Sequence, residues 1–202
     1  MFPECLNRAL EARIEFATTQ FLPVSNGAQP LAYLLLSGCV VLLGRNGATA
    51  GAYWPGDLIT APSEEAGFTK MKAVAETSCL AGPVNRLLEE CARDVDLTRW
   101  IWLQRMRREL ELLRRLEVLT SETVERRVLL TVADLADRAG AVSPGVPMPL
   151  AQNEIADLAG ATRETTSTLL NRLRRRGMVE LGRRRIQVSA PDVLRALEGL
   201  PA

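Results

Sequence analysis

Short apolar runs punctuated by turn dipeptides fill the first eighty residues. Ile14 to Leu22, Leu31 to Leu36, Cys39 to Leu43 and Ala50 to Tyr53 read as strands. Asn26-Gly27, Ser37-Gly38, Asn46-Gly47 and Pro55-Gly56 supply the turns, and a run from Lys70 to Cys79 continues the pattern. Strands of this length at roughly ten-residue spacing predict a jelly-roll-like β-barrel or sandwich. The period then changes. From Asp96 to about Leu119 there is no Gly or Pro, and Leu103, Met106, Leu110 and Leu113 recur in steps of three and four. That is the apolar seam of a short coiled coil, and arginines 105, 107, 108, 114 and 115 alternate with glutamates 109, 111 and 117 around it.

The last eighty residues return to short amphipathic segments. Glu122 to Gly140 reads as a helix with Val124, Val128, Leu129, Val132, Leu135 and Ala136 as its apolar positions. A Pro-rich loop, 141–149, leads to a short helix that ends at Gly160. Thr162 is a plausible N-cap for the next helix, whose Leu169, Leu170 and Leu173 share one face. Two short helices about a Gly-containing turn make a helix-turn-helix. Gly177 closes the second helix. Val179–Leu181 and Ile186–Val188 then form two short strands around 182–185, a β-wing, and Pro191-Asp192 opens a last short helix. The predicted class is α+β: a barrel over 1–95, a long helix over 96–120 and a winged helix-turn-helix over 121–202.

Charge sharpens this picture. Between 163 and 185 stand eight arginines and two glutamates, a net of +6; the whole chain carries +1, so the remainder carries −5. Positive charge gathered on one small module is the footprint of phosphate contacts. Arg163 and Glu164 sit at the first turn of the second helix, where Arg can donate twice to guanine and Glu can accept from cytosine in a major groove. The chain contains no histidine, which removes Ser-His-Asp and Cys-His nucleophile machinery and His-ligated zinc or haem. No phosphate-binding loop motif is present, so an enzyme, a metal site and a bound cofactor are not expected. Cys39 and Cys79 lie in apolar runs and read as packing residues; Cys5 and Cys91 are less constrained, and no closely spaced cysteine clamp exists. No apolar run approaches the ~18–20 residues of a membrane span. The N-terminus lacks a signal-peptide pattern, and a cytoplasmic protein is expected.

Residues 151–179, above all the Arg163-Glu164-Thr165 core and the apolar tail that closes at Gly177, resemble the winged helix-turn-helix of the CRP/FNR transcription regulators. Leu34 to Leu43, followed by Trp54-Pro-Gly-Asp-Leu58, resembles the cyclic-nucleotide-binding barrel of the same family. The resemblance implies a homodimer built on the Leu103, Met106, Leu110 and Leu113 seam, a near-palindromic operator in double-stranded DNA, and RNA polymerase as a partner. It implies base reading by Arg163, Glu164, Ser167 and Thr168. Backbone contacts would come from Gln152, Asn153, Thr162, Arg172, Arg183, Arg184 and Arg185. Three departures stand out. Thr168 replaces a family Arg and is too short for a bidentate guanine contact. Ala151 stands where Ser or Thr would cap the first helix, which forfeits roughly 0.5–2 kcal/mol. After Gly56-Asp57-Leu58 the chain lacks the Gly-Glu pair and the later Arg that hold a cyclic nucleotide. Only Lys70 and Lys72 could meet an anion there, without the fork geometry of Arg. Control by cyclic AMP is therefore not expected. A regulator whose barrel senses a thiol-reactive or other effector remains the alternative.

Overall fold

The computed structural model describes residues 3, 5–27, 29–60, 68–142 and 147–197. The segment expected to lack the nucleotide-holding Gly-Glu pair (61–67) and part of the Pro-rich loop (143–146) lie outside the described residues. Two compact units divide the chain. The first holds Met1–Gly47 and Gly51–Leu112; the second holds Leu113–Ala202 with Ala48–Ala50.

Among the described residues, a one-turn helix α1 (Leu6–Ala9) precedes nine strands, of which all but the start of β6 belong to the first unit. These are β1 (Ala12–Phe16), β2 (Phe21–Leu22), β3 (Ser25–Asn26), β4 (Gln29–Ser37), β5 (Val40–Gly44), β6 (Thr49–Tyr53), β7 (Leu58–Thr60), β8 (Phe68–Ala73) and β9 (Thr77–Pro83). They form two sheets, β1-β9-β4-β3 with β7 also on β4, and β2-β8-β5-β6. The expected strands are present with two corrections. The run from Ile14 to Leu22 is broken by a turn at Thr19, whose φ is 78°. The run from Lys70 to Cys79 is divided between two strands, β8 and β9. Tyr33 and Leu35 of β4 join Phe16, Val40, Met71 and Cys79 in the core between the sheets. Ala32 and Leu34, on the opposite face of the same strand, pack with Leu6, Leu10, Leu87 and Leu97 beneath helices. β4 is thus buried on both faces, and its apolar run is continuous where a half-exposed strand would alternate. α2 (Val84–Arg93) and the long α3 (Val95–Ser121) follow; α2 was not expected.

The second unit continues with α4 (Val124–Val142), α5 (Gln152–Ala159), α6 (Arg163–Arg175), β10 (Val179–Gly182), β11 (Arg185–Val188) and α7 (Pro191–Ala196). Its core is Val128, Leu129 and Val132 of α4, Ile155 and Leu158 of α5, Leu169, Leu170 and Leu173 of α6, and Val179 and Ile186 of the wing. Met148 exchanges both backbone bonds with Ile186 (2.8 and 3.1 Å), adding a third short segment to the wing. Arg195 of α7 binds Asp134 (2.9 Å) and Asp137 on α4, which fastens the last helix to the unit. Among the described residues no helix is long and apolar enough to cross a membrane.

Burial between the sheets pushes the Cys79 thiol up from about 9 to about 11 and moves the Tyr33 hydroxyl upward as well. Both groups lose their protons more readily in the unfolded chain. Stability should therefore hold below about pH 9 and fall as pH rises from about 9 towards 11. Thermal melts across pH 7–11 check this, and a midpoint unchanged up to pH 11 would contradict the buried thiol.

Candidate nucleic-acid interface

The expected N-cap is in place: the Thr162 hydroxyl accepts a bond from the Thr165 N–H at 3.1 Å. Behind it, Thr166, Leu169, Leu170 and Leu173 are buried. On the other side Arg163, Glu164, Ser167, Thr168 and Asn171 line one shallow concavity. Arg163, Glu164 and Thr168 are exposed, and among the described residues no ion pair holds either charge. The turn before α6 depends on Gly160, which ends α5 at φ 58° and ψ 40°. The Ala161 N–H reaches back to the Ala156 carbonyl (2.9 Å), a helix C-terminal closure that favours glycine at this point. A Cβ at 160 would also stand 2.8 Å from Leu119 Cδ2.

The wing is tied to α5 by a buried ion pair that the sequence did not announce. Arg184 Nη2 lies 2.7 and 2.9 Å from the two carboxylate oxygens of Glu154. Glu154 is only 4% exposed. The same carboxylate accepts the Ala151 N–H at 2.8 Å. Half of a capping box is thereby made by the third helical residue, and the N-terminus of α5 is served even though Ala151 has no side-chain acceptor. Glu154 was not among the expected site residues, although a Glu three positions after a helix start is the signal that could have found it. The expectation that Arg184 holds phosphate meets a different geometry: this guanidinium is occupied inside the protein. Arg183 and Arg185, on either side of it, are exposed.

The remaining expected residues are dispersed. Asn153 is exposed and Gln152 half-buried at the start of α5. Arg172 pairs with Glu125 of α4 at 3.2 Å, while Arg174 and Arg175 are exposed. On α3 the apolar seam lies open: Leu103, Met106, Leu110 and Leu113 are 53%, 45%, 51% and 55% exposed. Lys70 and Lys72 occupy the face of β8 opposite the core residues Met71 and Ala73, and Lys70 Nζ stands 5.4 Å from the centre of the Phe21 ring.

In the first unit, α3 sends two arginines against the barrel. Arg105 Nη2 donates to Thr60 Oγ1 at 2.7 Å. The Arg108 guanidinium lies 4.4 Å from the centre of the Tyr53 ring and 3.1 Å from Glu111. Gly51 makes room for it, because a Cβ there would come within 2.6 Å of Arg108 Nη2. The space left among Tyr53, Ile59, Thr60, Ile101, Arg105 and Arg108 is about 70 Å³. Burial raises the Cys5 and Cys91 thiols above their ordinary value, Cys5 additionally through its bond to the Asp94 carboxylate. Among the described residues no three metal-binding side chains gather.

Residues 102–197 match the family described as a Crp-like helix-turn-helix domain. Solved structures of similar fold include FixK2 from Bradyrhizobium japonicum, with TM-score 0.75 and 21% identity over 95% of this chain and 98% of that one. CLP from Xanthomonas campestris, a c-di-GMP responsive global regulator, gives TM-score 0.68 and 17% identity over 92% and 98%. A CRP-family transcriptional regulator from Thermus thermophilus gives TM-score 0.66 and 21% identity over 90% and 94%. No curated protein matches the chain. Residues 102–197 thus resemble a Crp-like helix-turn-helix domain, and the chain shares the fold of these solved structures.

Removing Glu154 leaves the Arg184 charge and the Ala151 N–H without their partner. Glu154→Ala should cost about 2–3 kcal/mol, below the ~3–5 kcal/mol of a fully buried pair because Arg184 keeps some contact with water. Glu154→Gln retains the cap and should cost less. Gly160→Ala forces an L side chain into left-handed backbone and should cost at least ~1–2 kcal/mol. Denaturant melts of the three variants check these values.

Proposed function

We propose that this chain is a homodimeric, sequence-specific regulator of transcription that binds double-stranded DNA through α6. The observation that carries this reading is the open face of Arg163, Glu164, Ser167 and Thr168, set opposite a fully packed face and surrounded by exposed arginines. Arg163 and Glu164 read bases. Ser167 and Thr168 contact a base or a phosphate, and Thr162, Gln152, Asn153 and Arg172 hold the backbone with the wing residues Arg183 and Arg185. Arg184 shapes the wing instead of contacting phosphate. Two chains joined along the exposed α3 seam would place two reading helices ~34–36 Å apart, one DNA turn, and so favour a near-palindromic operator. RNA polymerase is the partner through which such a dimer would act.

The barrel is not the switch for cyclic AMP in this reading. Ligand sites occupy ~300–1,000 Å³, and the cleft that Tyr53, Ile59, Thr60, Ile101, Arg105 and Arg108 line, among the described residues, measures about 70 Å³. Arg105 and Arg108 of the chain itself line that cleft, one bonded to Thr60 and the other over the Tyr53 ring. Thiol sensing has less support, because burial raises the Cys5, Cys79 and Cys91 thiols and leaves little reactive thiolate at neutral pH.

Operators selected from random DNA by the full-length protein test the proposal. Arg163→Ala should cost about 1–3 kcal/mol on the selected site and relax one base position; an equal loss on random DNA would sink its reading role. Arg183→Ala with Arg185→Ala should weaken binding to all sequences alike and lower the salt dependence by about two charges. Leu110→Asp should shift the protein from dimer to monomer in sedimentation and weaken operator binding. Cyclic AMP added to the wild type should change none of these affinities, and a strong enhancement would overturn the barrel's assignment.

A further inference from the structure

We propose that Asn171 is a further base-reading residue of α6 and that it recognises adenine. This rests on α6 being the helix that reads DNA. Asn171 lies seven residues beyond Glu164, which places it within about 20° of that side chain around the helix axis and about 10 Å further along it. It closes the concavity that Arg163, Glu164, Ser167 and Thr168 line. The stripe of polar side chains that lines it therefore runs two turns, ending at the half-buried Asn171. At ~3.4 Å per base pair, the far end of such a stripe meets different base pairs from those under Arg163.

The side chain is held for the task. Its Nδ2 donates to the Ser167 carbonyl at 2.9 Å and stands 3.5 Å from the Ser167 hydroxyl. A primary amide has two N–H donors and a carbonyl with two lone pairs; giving up the long 3.5 Å bond to the Ser167 hydroxyl leaves one N–H and Oδ1 as a side-by-side donor and acceptor. That pair matches adenine, which offers N7 as acceptor and N6–H as donor in the major groove. Asn in mid-helix also carries a propensity cost relative to Ala, Arg or Lys. The bond to Ser167 is local to the helix and fastens no other element. Thr168, one turn before Arg172, is too short for a bidentate contact, which leaves Asn171 as the amide edge on this part of the face.

The test measures the relative affinity of the full-length protein for every single base-pair change in its selected half-site. The wild type should prefer adenine at one position outside the step read by Arg163. Asn171→Ala should lose roughly tenfold discrimination at that position and keep the rest of the profile. Asn171→Asp, which retains the size and the acceptor but loses the donor, should abolish the adenine preference and favour cytosine there. Thermal melts of both variants report whether the fold survives. Three results would overturn the proposal: an unchanged profile, an equal loss at every position and on random DNA, or a relaxed position that coincides with that of Arg163→Ala. If Arg163→Ala also leaves the profile unchanged, the reading role of α6 fails with it. If only the Asn171 variants leave it unchanged, α6 still reads DNA without Asn171.

Discussion

Glu154 is a carboxylate with almost no water around it, and three parts of the second unit meet on it. Removing a carboxylate from water costs several kcal/mol unless partners replace the lost hydration. Here Arg184 Nη2 and the Ala151 N–H supply them, at 2.7–2.9 Å. Each partner is fixed in return. The first turn of α5 gains a cap that Ala151 cannot give. The wing turn holds Arg184 at φ 51°, a region in which a side chain is uncomfortable, because the ion pair needs the guanidinium there. α5 in turn sets α6 through the Gly160 turn and their shared core. The buried contact therefore joins α5 to the wing, alongside the apolar core that α6 shares with both.

That face has an electrostatic oddity that argues for an external partner. A helix N-terminus carries roughly half a positive charge, so Glu164 is favoured in the first turn of α6 and Arg163 is not. Arg163 has no carboxylate neighbour among the described residues to offset this. A surface selected only for stability would not keep an arginine at that position. On the proposed reading, base edges and phosphates provide the acceptors that the protein leaves out. The same logic separates the wing arginines: Arg184 is spent on Glu154, and its neighbours on either side remain in solvent.

What the sequence revealed followed periodicity. The seam of α3, the apolar face of α6 and the two wing strands could be read because one residue spacing decides each of them. The continuous apolar run of β4 was legible as a strand, but not as one buried on both sides, since that depends on α1, α2 and α3 covering its outer face. The turn at Thr19 was hidden because Thr18-Thr19-Gln20 carries no glycine to mark a left-handed residue. α2 escaped notice because β9 passes into it directly at Pro83, without a linker. The Glu154–Arg184 pair joins residues thirty positions apart, and no local pattern encodes it. For the proposed site, the first turn of α6 was suggested by residue type, whereas Asn171 came into consideration only once the side chains were placed around one concavity.

α3 shows how one helix can serve two surfaces with different chemistry. Leu97, Ile101, Arg105 and Arg108 project toward one side, while Leu103, Met106 and Leu110 project almost oppositely, as the 100° step of a helix requires. The first side is fixed to the barrel by Leu97 in the core, by the Arg105–Thr60 bond and by Arg108 lying over Tyr53 in the space that Gly51 leaves open. Each of these contacts comes from the chain itself. In a barrel that grips its helix through a bound nucleotide, the helix position changes when the nucleotide leaves. On the proposed reading the arginines make that bridge without one, so the apolar seam on the far side is presented whatever small molecules surround the protein. On that reading the missing Gly-Glu pair and the two arginines belong together: cations on α3 bind the barrel directly, through Thr60 and Tyr53.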